Sequence, residues 1–153
     1  MVSERWQPVS PVSGRIDAFV HSVSTAHSIH GVTQALWAHD PGIRVVAVEP
    51  AESAVLSGGP SGSHQIEGIG IGFIPPLWHP EMVNEITAVS TGEAKAMARR
   101  LAREEGVFAG TSTGANVVAA IRVAQALGPG ATVATLIIDS GLRYLSTDVY
   151  RAG

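Results

Sequence analysis

Apolar positions along the 153-residue chain alternate between strand-like runs and helix-like stripes. IDAFVHSV (16–23) is an apolar run of strand length. RVVAVEP (44–50) is β-branched and closed by proline, as expected of a buried parallel strand. Between them Ile29, Val32 and Leu36 recur at helical spacing in IHGVTQALWAHD (29–40), which Pro41-Gly42 stops. EITAVS (85–90) predicts a further strand. It runs into Ser90-Thr91-Gly92-Glu93, a capping box in which serine and glutamate satisfy the first N–H groups of a helix. In that helix Ala94, Met97, Ala98 and Leu101 form one apolar stripe, and Gly106 is a suitable stop. Lys95 and the Arg99-Arg100-Arg103 cluster beside the stripe read as a solvated face. VFAG (107–110) predicts a short strand, TSTG (111–114) a tight turn, ANVVAAIRVAQAL (115–127) a third helix and TVATLIID (132–139) the last strand.

Strands alternating with helices predict an α/β domain with a mostly parallel sheet between helical layers. Residues 1–14 are polar, carry Pro8 and Pro11, and read as an N-terminal arm on a single domain that takes up the rest of residues 1–153. Residues 51–80 form a long stretch rich in Gly, Ser and Pro, including SGGPSGSHQ and GIGIGFIPP. A stretch of that length in a compact domain serves a function or an interface.

Composition narrows the chemistry. With 45% hydrophobic and 15% charged residues the chain can bury a core, and its net charge of −3 gives no reason to expect nucleic acid or an anionic membrane as partner. There is no cysteine, which excludes disulfides, thiol nucleophiles and thiolate metal sites. No apolar run reaches membrane-spanning length and MVSERWQPVSPVSG lacks a signal peptide's apolar stretch, so a soluble cytoplasmic protein is expected. Among ten basic residues only Lys95 is a lysine.

VEPAESAVLSGG, HQIEGIGIGFIP, ARRLAREEGVFAGTSTGA and DSGLRYLST stand in order and at consistent spacing. Together they make residues 15–147 resemble the C-terminal half of cysteine synthase, a pyridoxal-phosphate enzyme of fold type II. The resemblance implies a Rossmann-like, three-layer large domain, with the cofactor held between it and a smaller domain. It gives Ser112 of GTSTG the role of bonding the cofactor's pyridine nitrogen. Thr25 and Ser28 fall where a GTGGT-like phosphate loop supplies hydroxyls, and GIGIGF corresponds to a strip near the active-site mouth.

The departures fall on the chemistry. In the family the Schiff-base lysine and the carboxylate-binding segment lie in the N-terminal half, which has no counterpart here, and Lys95 reads as solvated. Aligned with GTGGT are Ser24, Thr25, Ala26, His27 and Ser28, so three glycines have gained side chains. Added bulk would crowd a phosphate, and any position needing φ > 0 would be strained. The expectation is therefore no pyridoxal phosphate, except where a second chain supplies the lysine. No metal is expected either, because His27 and His30 lack a third ligand.

Histidine suits proton transfer near neutral pH. His21, His27 and His30 fall near the C-terminal edge of the first strand, Thr111, Ser112 and Thr113 at a second edge, and Asp139 and Ser140 at a third, where open α/β sheets bind ligands. The constructive expectation is a reused cleft in which His27, His30, Ser112 and Asp139 perform isomerisation, cyclisation or elimination on a small molecule. The alternatives are a non-catalytic homologue that binds a partner protein, and one half of a split pyridoxal-phosphate enzyme. Apolar surface on GIGIGFIPPLW predicts a homodimer or larger assembly.

Overall fold

The computed structural model describes residues 14–151. The N-terminal arm lies outside these residues apart from Gly14. Four parallel strands, β1 (Ala18–Ser22), β2 (Arg44–Pro50), β3 (Glu85–Val89) and β4 (Val133–Thr135), form one sheet in the order β3-β2-β1-β4. Val20 pairs with Val46 and Thr135, and Val46 with Glu85. Helix α1 (His27–His39) covers one face, while α2 (Thr91–Arg100) and α3 (Thr111–Leu127) cover the other. The α/β, three-layer expectation holds.

The pleat decides which residues meet which layer. Val20, Val46 and Val48 face α2 and α3 and pack on Ala94, Ala115 and Ala119. Phe19, Val45 and Ala47 face the other way, onto Ile29 of α1, Trp78 and Met82. Each of those strand valines is wholly buried and contributes roughly 1.5–3 kcal/mol over exposure. Strand β2 is buried on both faces, which explains why its sequence reads as a continuous apolar run.

Local signals account for the ends. The Ser90–Glu93 capping box forms as read, with Ser90 Oγ accepting the Glu93 N–H. Beyond α2 the chain continues through a π-helical turn (Leu101–Glu105) and stops at Gly106, whose φ of 70° is left-handed. Helix α1 begins at His27 rather than Ile29.

Three expectations give way. VFAG is not a strand: only an isolated antiparallel bridge joins Ala109 to Ser140, and the Tyr150 hydroxyl takes the Ala109 carbonyl that a ladder would have used. TSTG is not a turn but the opening turn of α3. Lys95 is not solvated. It is 8% exposed, donates to both Asp148 carboxylate oxygens (2.7 and 2.8 Å) and to Gln65, and with Arg99, which donates to the Val149 carbonyl at 2.5 Å, it ties down the C-terminal segment. Among the described residues no helix is long and apolar enough to cross a membrane.

Candidate functional site

The first two turns of α3 organise the C-terminal edge of the sheet. Asn116, fully buried, accepts the Ser22 N–H at 2.8 Å and donates to the Leu136 carbonyl at 3.1 Å. Thr113 Oγ1 accepts the Ile138 N–H at 3.0 Å, and Thr111 Oγ1 accepts the Glu67 N–H at 3.1 Å. The ends of β1 and β4 and the glycine-rich strip are thereby fixed to the N-terminal end of α3. Ser112 is 1% exposed, yet its hydroxyl makes no hydrogen bond among the described residues. In a turn whose neighbouring side chains are all engaged, Ser112 holds the spare donor.

The loop after β1 leads into α1. Ala26 caps that helix with φ 68° and ψ 0°, the one non-glycine residue at positive φ among those described. Its methyl group packs in the core on the α1 side, while Thr25 and His27 are exposed and share a 3.0 Å contact between Thr25 Oγ1 and His27 Nδ1. The side chains added to the glycine-loop pattern are therefore taken up by the core and by open surface. The backbone takes a left-handed step at Ala26, a conformation that glycine adopts without strain. An alanine cap has no side-chain acceptor, and the N–H groups of His27, Ser28 and Ile29 find none among the described residues. Helix α1 thus presents free donors and the positive end of its dipole.

Beneath this loop His21 sits at the end of β1, 4% exposed, with its ring 5.9 Å from that of Phe19. Its Nε2 lies 2.7 Å from Ser28 Oγ, and Nδ1 is buried without a partner. Burial pushes the imidazole down to about 4, so it is neutral at pH 7. The glycine-rich strip closes the cleft from another side: the Gly70 N–H donates to the Val23 carbonyl at 3.1 Å. His64 pins that strip. Its Nδ1 accepts the Ile66 N–H, so its Nε2–H donates to the Gly70 carbonyl at 2.9 Å.

The four residues expected to act together are distributed as follows. Asp139 lies against Gly110, the N-cap of α3 two residues before Ser112: a Cβ on Gly110 would collide with the Asp139 carboxylate and the Tyr144 ring. The Tyr144 hydroxyl donates to Asp139 Oδ2 at 2.7 Å, and burial together with that carboxylate pushes the phenol up. Asp139 Oδ1 is buried without a partner. His27 contacts Thr25, and His30 lies edge-on to His79, with ring centroids 6.1 Å apart. No hydrogen bond among the described residues joins either histidine to Ser112 or Asp139. Sequence reading missed Tyr144 and the His21–Ser28 contact. The signal for the latter was a polar residue at a β1 position that faces α1.

The sequence matches the family described as pyridoxal-phosphate dependent enzyme over residues 3–139. It is 46% identical over 135 residues to cysteine synthase of Staphylococcus aureus, covering 88% of this chain and 44% of that protein. The fold superposes on O-acetyl serine sulfhydrylase isoform 3 of Entamoeba histolytica with a TM-score of 0.84 at 43% identity, covering 88% of this chain and 41% of that one. It superposes on the O-acetylserine dependent cystathionine β-synthase of Helicobacter pylori with a TM-score of 0.84 at 37% identity, covering 89% and 44%. The chain spans less than half the length of the curated relatives it matches. These matches correct the expectation of no pyridoxal phosphate: the family and these relatives define a pyridoxal-phosphate lineage. The loop that motivated the expectation makes a left-handed step at Ala26 and leaves the first N–H groups of α1 free among the described residues.

Proposed function

The chain belongs to the pyridoxal-phosphate dependent enzyme family, and from that membership we propose that it forms the cofactor-holding half of a cysteine synthase-type centre for β-replacement on an O-activated serine. Polypeptide outside these 153 residues brings the Schiff-base lysine, since Lys95 is held by Asp148 and Gln65. The observation that carries this reading is the spare, buried Ser112 hydroxyl in an otherwise fully bonded turn.

Each residue has a physical task. The Ser112 hydroxyl donates to the pyridine nitrogen, a neutral contact suited to a buried position. The His27, Ser28 and Ile29 N–H groups and the Thr25 and Ser28 hydroxyls receive the phosphate at the positive end of α1. Asn116 and Thr113 keep these two elements in register by tying the ends of β1 and β4 to α3. Bound pyridoxal phosphate supplies an electron sink beside the amino-acid α-carbon.

Native purification from the host followed by mass spectrometry and absorbance tests the reading. An assembly that contains this chain and pyridoxal phosphate, and that loses most of the cofactor when Ser112 is replaced by alanine, supports it. An assembly free of pyridoxal phosphate, or retention unaffected by Ser112→Ala, overturns it.

A further inference from the structure

The His21–Ser28 contact links two elements that need not touch for the fold to close. His21, the penultimate residue of β1, pairs in register with Ala47 of β2, on the face that packs against α1. Ser28 is the second residue of α1 and is exposed at the mouth of the loop. His21 beneath it is 4% exposed, and no charged group is bonded to it.

The contact has two possible proton arrangements. In one, Ser28 donates to Nε2, and the Nδ1–H is left buried with no acceptor. Ser28 then offers only lone pairs toward the helix mouth, where an anion would be repelled. In the other, Nε2–H donates to Ser28 Oγ, and Nδ1 is a bare ring nitrogen in an apolar wall. The serine hydroxyl hydrogen is then free to point outward, alongside the N–H groups of His27, Ser28 and Ile29. Anion binding at this turn selects the second arrangement.

We propose that His21 is a positioning residue for a phosphate-monoester site at the start of α1. Through its Nε2–H it holds the Ser28 hydroxyl as an outward donor. The inference rests on the cofactor-holding reading of the loop and adds to it a residue lying outside the loop. His21 does not touch the anion and stays neutral, so it acts by orienting a dipole and supplies no charge. Histidine at this position gives the serine a partner that a small apolar residue would not.

The test uses the 153-residue chain titrated with inorganic phosphate at low ionic strength, followed by amide shifts in nitrogen–proton spectra, with calorimetry for affinity. Long-range nitrogen–proton correlation reads the His21 tautomer directly. The wild type is expected to bind through the His27–Ile29 amides with His21 protonated at Nε2. His21→Ala is expected to weaken phosphate roughly tenfold, the scale of one charge-assisted hydrogen bond. Ser28→Ala should lose a similar factor, and the double variant no more than either single one. His21→Gln, which keeps an N–H donor and the burial, should recover much of the affinity. If His21→Ala fails to fold, His21→Gln and the wild-type tautomer still decide.

An Nδ1–H tautomer, or phosphate binding equally tight in wild type and His21→Ala, overturns this inference and leaves the cofactor-holding reading standing. No phosphate shift at the His27–Ile29 amides in the wild type overturns the inference and removes the phosphate half of that reading with it.

Discussion

Asn116 Oδ1 accepts the Ser22 N–H at 2.8 Å across 94 residues of sequence, joining the second turn of α3 to the end of β1. Its amide also donates to the Leu136 carbonyl, so one fully buried side chain serves two strands. Asn116→Ala removes both bonds and leaves a buried N–H unsatisfied. A loss of about 2–3 kcal/mol is expected in urea denaturation. A loss under about 0.5 kcal/mol would show that solvent or a neighbour replaces the tie.

The neutral His21 makes a specific statement about acid stability. Its folded value of about 4 lies below the unfolded value of 6.5, so the unfolded chain takes up the proton first as pH falls. The stabilising contribution is complete above pH 6.5, declines as pH drops from 6.5 to about 4, and changes no further below that. The whole span is on the order of 3 kcal/mol. Lowered carboxyl values at Glu93, held by Ser90, and at Asp17, held by the Thr132 N–H, erode stability in the carboxylate range in any variant. The difference between wild type and His21→Gln across pH 4–7 therefore isolates the imidazole, and parallel curves would refute the assignment.

Ala26 sits at φ 68°, where a Cβ costs on the order of 1 kcal/mol. Replacing it by glycine relieves that strain but loses a buried methyl worth about 0.8 kcal/mol and adds freedom to the unfolded chain. The effects nearly cancel, so Ala26→Gly is expected to stay within about 0.5 kcal/mol of wild type. Ala119→Gly is the control: it loses burial and helix propensity together, about 2 kcal/mol. Equal losses in the two variants would place residue 26 in an ordinary conformation.

The layers were legible because they follow from local pattern: the uninterrupted run of β2, the stripe of α2 and the Ser90–Glu93 box each carry their own signal. What escaped depends on distant partners. VFAG has the composition of a strand, yet Tyr150, more than forty positions later, takes its Ala109 carbonyl. TSTG reads as a turn by residue type. Its threonine hydroxyls are instead used by Glu67 and Ile138, which leaves the backbone free to be helical. Lys95 looked solvated because nothing within a helical turn pairs with it; its carboxylate comes from Asp148. Ser112 and the loop hydroxyls were singled out by family resemblance, while the His21–Ser28 contact needed the packing of α1 over β1.

Phe73 and Ile74 are 60% and 56% exposed, adjacent on the glycine-rich strip, with Ile71 at 38% beside them. Isolated apolar residues on a surface are ordinary, but three within four positions form a patch that water contacts unfavourably. The chain by itself is expected to sediment as a dimer or larger, and Phe73→Asp to shift it toward monomer. Monomeric wild type at tens of micromolar would count against self-association through this strip.

Lys95 permits an unusually clean chemical test, because the sequence offers only one side-chain amine. Its ammonium is bonded to Asp148 and Gln65, and its side chain is 10% exposed. Schiff-base formation would require it to lose a proton and leave a carboxylate unpaired. That raises its cost relative to a free lysine. Pyridoxal phosphate followed by borohydride is therefore expected to label the α-amino group of the folded chain and spare Lys95. Asp148→Ala should increase labelling at Lys95, because the ammonium then lacks its counter-ion. Stoichiometric labelling of Lys95 in the folded wild type would put the Schiff-base amine within this chain. It would remove the need for residues outside these 153 to supply that amine.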